Sequence, residues 1–299
     1  MARDFVFICD LHITSHSRVR NGDVVQDLKD KLQFVVDYCN KVDAVLLIGG
    51  DLFDKPSVPD YVKSELAPVL RTAKHIPIAV SGNHDRLYDN PEYNFKTSFN
   101  VWKSHGLLRS VDEEPIDLGD VIVTGTLPIK TEGKFHIALY HGFLNQEDGR
   151  NTLHFDDIQT EDQTYVLLGH DHVEYEPVQY KENVKIFRPG SFLRGIRQDA
   201  QYRNPQMLHI RVTDKLQYKL VPIKCRDFSE IFKTKEAKIT QSQKHSSYED
   251  IINQIRNAAQ GDLTFEQAIS QVGDPEVVEF TKQLLMQANQ ENSNKRQNL

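Results

Sequence analysis

Ser81-Gly82-Asn83-His84-Asp85 follows an apolar run at 76–80 and sets an amide beside an imidazole. The Asn83 carbonyl oxygen is neutral, but it can complete a metal site whose other members carry the charge. His84 cannot easily face the same ion from the adjacent position. The pair therefore divides the work, Asn83 binding and His84 doing proton chemistry. Alone this is weak evidence, because Gly and Asn also serve a turn after a strand for conformational reasons. The pattern repeats, however: Asp10 and His12, Asp51, His141, then His170 and His172 each follow an apolar run. An Asp-x-His pair can grip one ion from neighbouring backbone, and a lone Asp51 has two oxygens with which to bridge two. Carboxylate and imidazole donors without a thiolate suit manganese, iron or zinc better than magnesium or calcium. Two such ions about 3.5–4 Å apart would acidify a bridging water and neutralise the oxygens of a phosphate. A single His after a strand is usually a hydrogen-bonded structural residue, but five strand ends finishing alike point to a metal centre. His16, His75, His105, His136, His154, His209 and His245 lack this placement and read as structural or solvent-facing.

The elements that must carry these groups follow from periodicity. Apolar runs at 5–9, 44–48, 76–80, 121–125, 135–140 and 164–168 read as buried strands. Between 23 and 40, Val24, Leu28, Leu32, Val35, Val36 and Cys39 recur at helical spacing, and a second helix fits 61–73. Strand, helix, strand, helix, strand predicts parallel α/β layering, in which ligands gather at the carboxyl ends of strands. The stretch 90–107 combines a loop with a helix. Late strands are expected at 185–187, 207–212 and 216–223, the last two joined by a turn near 213–215. Beyond 227 the chain turns polar, with two amphipathic helices at 248–259 and 275–288 and a disordered Asn- and Gln-rich end. No internal repeat is evident.

Composition sets the remaining bounds. At 299 residues with 39% hydrophobic and 26% charged side chains, the chain can bury a core as one large domain with appendages. The sequence has no run of the roughly 18 apolar residues that a membrane helix needs, and its first residues do not read as a secretory signal. Cys9, Cys39 and Cys225 lie at no metal-like spacing and read as reduced thiols of a cytoplasmic protein. The net charge is −7, yet residues 188–226 hold nine Lys or Arg against two acids. Such a segment could steer a polyanion to one face. The plainer reading is basic residues scattered over solvated strand faces.

Asp10-Leu11-His12, Gly50-Asp51, Gly82-Asn83-His84-Asp85, His141-Gly142 and Gly169-His170-Asp171-His172 resemble the five ordered motifs of the calcineurin-like metallophosphoesterase superfamily. The resemblance spans residues 10–172 and implies an α/β fold: a layered core of two mixed sheets flanked by helices. It implies one ion held by Asp10, His12, Asp51 and His172, and another by Asp51, Asn83, His141 and His170. His84 would then act as the acid on the leaving oxygen, oriented by Asp85. Gly50 to Ser57, Arg188-Pro189-Gly190-Ser191 and the strand pair at 207–223 are similar to the SbcD-type nuclease branch of DNA end processing and repair. That likeness implies a catalytic core over 1–184, a small capping region over 185–226 and a helical segment over 227–299. The interval from Asp85 to His141 is short, which suggests a compact, phage-encoded member acting in its host's cytoplasm. The leading expectation is a manganese-dependent DNA nuclease, with Arg194, Arg197 and Arg203 as contacts to the DNA backbone. An SbcC/Rad-type ATPase would dock on the C-terminal helices, and a homodimer is a further expectation. Two alternatives stand beside it: a protein or nucleotide phosphatase using the same site, and a non-catalytic scaffold with a vestigial one.

Overall fold

The apolar runs of the sequence become strands that stack as two six-stranded mixed sheets. A computed structural model describes residues 3–17, 19–88, 91–125, 133–145, 152–194, 204–213 and 216–232. Along the chain come β1 (Arg3–Ile8), α1 (Val24–Val42), β2 (Ala44–Gly49), α2 (Asp60–Arg71) and β3 (Ile78–Val80). Next are α3 (Ser98–Ser104), β4 (Arg109–Ser110), β5 (Ile116–Asp117), β6 (Val121–Thr124) and β7 (Phe135–His141). A small parallel pair, β8 (Phe143–Leu144) and β9 (Thr152–Leu153), precedes β10 (Thr164–Gly169) and β11 (Tyr175–Lys181). Then come β12 (Val184–Arg188), β13 (Gln206–Val212), β14 (Leu216–Pro222) and the single-turn α4 (Phe228–Ile231).

One sheet has the order β14-β13-β1-β2-β3-β4, parallel from β1 to β4 and antiparallel beyond β1 on the other side. The other runs β11-β12-β10-β7-β6-β5, parallel through its centre with antiparallel strands at both edges. Alternation along a strand decides what each face meets. Phe5, Phe7 and Cys9 of the first sheet pack with Ile137, Leu139, Tyr165 and Leu167 of the second in a core between the sheets. Val6 and Ile8 point the other way, into the layer formed with α1, α2 and α3. The six positions that give α1 its helical period are all buried there. Asp23 caps the helix by accepting from the Val25 and Gln26 backbone N–H groups, worth about 1 kcal/mol. Among the described residues, the outer face of the second sheet is covered by Leu153 and Ile158 rather than by an α-helix.

One expectation changes. The strands of 185–226 do not form a separate capping region: β12 is an inner strand of one sheet, and β13 and β14 extend the other. They are built into the core because their apolar residues, Phe187, Leu208 and Ile210 among them, bury between the sheets. The described residues up to Phe232 accordingly form one compact unit. β11 was not legible, because it is an edge strand with a mostly exposed, polar sequence and so lacks an apolar period. The helices expected at 248–259 and 275–288, and the terminal tail, lie outside the described residues. No helix among the described residues is long and apolar enough to cross a membrane.

Candidate metal centre

The parallel strands β1, β2, β3, β7 and β10 each end in one of the chemistry-bearing segments, so both sheets deliver them to their carboxyl ends. Loop 9–13 is tied to loop 50–54 by backbone bonds from Asp10 N–H to Gly50 O, His12 N–H to Asp51 O and Ile13 N–H to Leu52 O. Four of the expected ligands, Asp10, His12, Asp51 and His170, have positive φ angles between 43° and 91°. A left-handed backbone at a residue with a Cβ costs about 1 kcal/mol or more, so the surrounding structure must hold these residues in place.

The ligand atoms fall into two groups, linked by a third that shares His12 with one and Asp51 with the other. Asp10, His12 and His172 bring one atom each to within 4.8 Å of one another, and Asp51, His141 and His170 do the same. His12 Nε2 lies 3.0 Å from His172 Nε2 and 3.6 Å from Asp51 Oδ2. On the other side Asp51 Oδ2 lies 3.2 Å from His141 Nε2. Asn83 Oδ1 faces His141 Nε2 at 3.2 Å and His170 Nδ1 at 3.0 Å. The carboxylate of Asp51 thus stands between the two groups, where it could be shared by two ions, and all seven expected ligand residues are brought together. Asp10 Oδ1 and Oδ2 accept the His170 backbone N–H at 3.0 and 3.1 Å, which joins the two strand ends across the sheets.

Several partners prepare these groups. His141 Nδ1 donates to Gly49 O at 2.8 Å, which leaves the Nε2 lone pair for an ion. Burial lowers His12 and His170, keeping both imidazoles in the neutral form that binds metals. Burial would also lower His141 and raise Asp51. Their mutual hydrogen bond and opposite charges, joined by Asp10 acting on His141 and His12 acting on Asp51, together outweigh it, raising the imidazole and holding the carboxyl below its usual range. Gly82 is required because a Cβ there would lie 2.1 Å from Asp51 Oδ1. The nitrogen and oxygen donor set, without sulfur, fits divalent ions of the manganese, iron and zinc class.

His84 belongs to the same cluster, grouped with His12 and Asp51. Its backbone N–H donates to Asp51 Oδ1 at 2.9 Å, and its Nδ1 donates to the Asp54 carbonyl at 2.7 Å. Its exchangeable proton is therefore at Nε2. The expectation that Asp85 orients this ring is corrected. Asp85 is buried and accepts from the backbone N–H groups of Leu52, Phe53 and Gly82 at 3.0, 2.9 and 2.9 Å. It fastens loop 50–54 to loop 81–85, and burial pushes its carboxyl up to about 7. The residue that orients His84 is Asp54, through its main chain, which no side-chain pattern could announce.

The expected DNA contacts fare differently. Arg194 is only 2% exposed and donates inward to the Arg226 carbonyl, so it cannot reach a phosphate backbone at the surface. Arg197 and Arg203 lie outside the described residues. A surface feature missed in the sequence follows His84 instead. Tyr88 is 83% and Phe95 65% exposed, Tyr93 sets its ring edge-on to Tyr88 at 6.1 Å, and Lys96 Nζ lies 5.1 and 5.4 Å from the Tyr93 and Phe95 rings.

A family model for calcineurin-like phosphoesterases matches residues 4–184. The chain belongs to that family. This calcineurin-like phosphoesterase is therefore a metal-dependent hydrolase by membership, and the clusters around Asp51 are its candidate sites for divalent ions. No curated protein matches the sequence. Among solved structures, an archaeal phosphodiesterase shares 14% identity over 74% of this chain and 99% of its own, with a TM-score of 0.37. A 5'-nucleotidase precursor from Thermus thermophilus shares 12% over 83% of this chain and 59% of its own, with a TM-score of 0.41.

Proposed function

We propose that this phosphoesterase is a DNA nuclease of the SbcD type, hydrolysing phosphodiesters in DNA end processing with two divalent ions, manganese first among the candidates. The observation that carries diester hydrolysis is Asp51, which groups with His12 and His84 on one side and with His141 and His170 on the other. Asp10, His12, Asp51 and His172 would hold one ion, and Asp51, Asn83, His141 and His170 the other. Bound ions supply positive charge against the phosphate oxygens and a more acidic water. Asp85 holds the two loops in register, and the Asp54 carbonyl keeps His84 turned so that Nε2 exchanges its proton with the leaving oxygen. The exposed Tyr88, Tyr93, Phe95 and Lys96 favour a nucleic acid over a small ester, since bases stack on aromatic faces and a nearby ammonium meets phosphates. Tyr88 lies four residues from His84, at most about 14 Å along the chain.

The test is a panel of linear duplex DNA, single-stranded DNA, bis-nitrophenyl phosphate and nitrophenyl phosphate with added manganese. DNA and the diester should be cleaved faster than the monoester, and Tyr88→Ala should slow DNA cleavage while sparing bis-nitrophenyl phosphate. Preference for the monoester would overturn the nuclease reading. It would favour the phosphatase alternative, which the net charge of −7 suits slightly better. The reading also places an SbcC/Rad-type ATPase on the segment beyond residue 232. Adding such a subunit should speed the cleavage of duplex ends.

A further inference from the structure

Behind the Asp10 loop, between α1 and the segment 222–231, the fold buries an uneven set of charges. Arg20, Lys31 and Arg194 are 4%, 4% and 2% exposed. Asp27 is the one carboxylate among the described residues that pairs with Arg20, and it is shared with Arg226, whose Nε is 2.7 Å away. One of the three Lys31 donors goes to Phe192 O at 2.9 Å, and Arg20 donates to Arg194 O at 3.1 Å. Arg20 Nε is buried with no hydrogen-bond partner among the described residues. These groups line a cavity of about 440 Å³, with Lys224 and Arg226 at its exposed side. Asp30 and Asp37 also line it, each already accepting from a glutamine one helical turn earlier, Gln26 and Gln33.

Buried cations are normally matched by anions, because an unmatched charge in a low-dielectric interior is costly. Among the described residues, Arg20, Lys31 and Arg226 have one carboxylate in contact between them, Asp27, and Lys31 and the unpartnered Arg20 Nε border a solvent-reachable space. We propose that this cavity is an oxyanion site that takes a phosphate group, distinct from the metal centre and independent of the nuclease reading. Lys31 supports it: burial first, then Arg20 and Arg194, lower its pKa to about 7 against the smaller opposing effects of Cys225 and Asp27. A bound dianion would restore the charge that burial withdraws. The site is also wired to the catalytic side. The Phe192 carbonyl that Lys31 holds belongs to a segment whose Phe192 and Leu193 N–H groups donate to Cys9 O and Asp10 O at 2.8 and 3.2 Å.

Isothermal titration of the full chain in excess chelator, with inorganic phosphate and separately with adenosine monophosphate, tests the site without competition from metal-bound phosphate. Phosphate should bind saturably at one site per chain. Lys31→Met should weaken it about tenfold to a hundredfold, the usual effect of losing one charged hydrogen bond. Arg226→Gln, at the exposed side and tolerant of the fold, should weaken it in the same direction should Lys31→Met fail to fold. His84→Ala should leave the affinity unchanged, which separates this site from the catalytic one. Tighter binding of the nucleotide than of phosphate would assign the site to an organic phosphate, and the reverse order to the free ion. Absence of saturable binding, or equal affinity in wild type and Arg226→Gln, would overturn the proposal.

Discussion

Asp85→Asn tests whether Asp85 acts on the backbone or on His84. In the wild type Asp85 Oδ2 accepts two N–H groups, from Leu52 and Gly82, and Oδ1 accepts one, from Phe53. An amide has a single oxygen. In its best orientation that oxygen keeps the Leu52 and Gly82 bonds, while its NH2 group faces the Phe53 N–H, donor against donor. One buried donor left unmade costs about 1–3 kcal/mol. Removal of a buried carboxylate offsets part of this, leaving a net loss of about 1–2 kcal/mol. The assay is urea denaturation of chelator-treated protein, paired with a pH–rate profile on bis-nitrophenyl phosphate. The variant should unfold at lower urea and turn over more slowly, with the profile keeping its shape. A variant as stable as wild type but with a displaced acid limb would show that Asp85 acts on the His84 imidazole, and the positioning role would fall.

His84→Ala should lower diester cleavage by about 10²–10⁴, the usual range for losing an acid–base group, with bound metal unchanged by elemental analysis. Gly82→Ala pushes a methyl onto Asp51 Oδ1 and should cost both ions together, seen as loss of metal in the same measurement. His136 is buried against Thr124, and burial lowers it to about 4. The unfolded chain therefore takes up this proton first, so stability is full above the ordinary value of 6.5 and is lost as pH falls toward 4. The loss has a ceiling of about 3 kcal/mol, and His136→Gln should flatten the slope in that window, read by denaturation at several pH values.

The strands of the core were legible because burial on both faces leaves nearly continuous apolar runs, as in Phe5 to Cys9 and Ala44 to Ile48. The ligands were legible because a polar group at the end of such a run has few structural reasons to be there. Five runs ending alike made Asp10, His12, Asp51, Asn83, His141, His170 and His172 visible as a set. What was not legible is what depends on the third dimension. Asp85 and Arg194 carry charges that suggest chemistry, but burial directs both to main-chain partners. The strands at 185–226 follow the catalytic motifs in sequence and looked like an appendage. Their pairing with β1 and β10 is long-range and left no local sign. Tyr88, Tyr93 and Phe95 read as ordinary aromatics of a polar loop until their exposure was known.

Both imidazoles whose tautomer matters most are held by main-chain carbonyls: His141 by Gly49 and His84 by Asp54. A carbonyl is the same whatever side chain its residue carries. The protonation pattern of the centre is therefore written into the path of the chain and not into its spelling. Position 54 could change its side chain without releasing His84, whereas a shift of loop 50–54 would release it with every residue intact. Perturbations that move this loop should thus imitate active-site mutations, and substitutions that leave its course alone should be silent at His84.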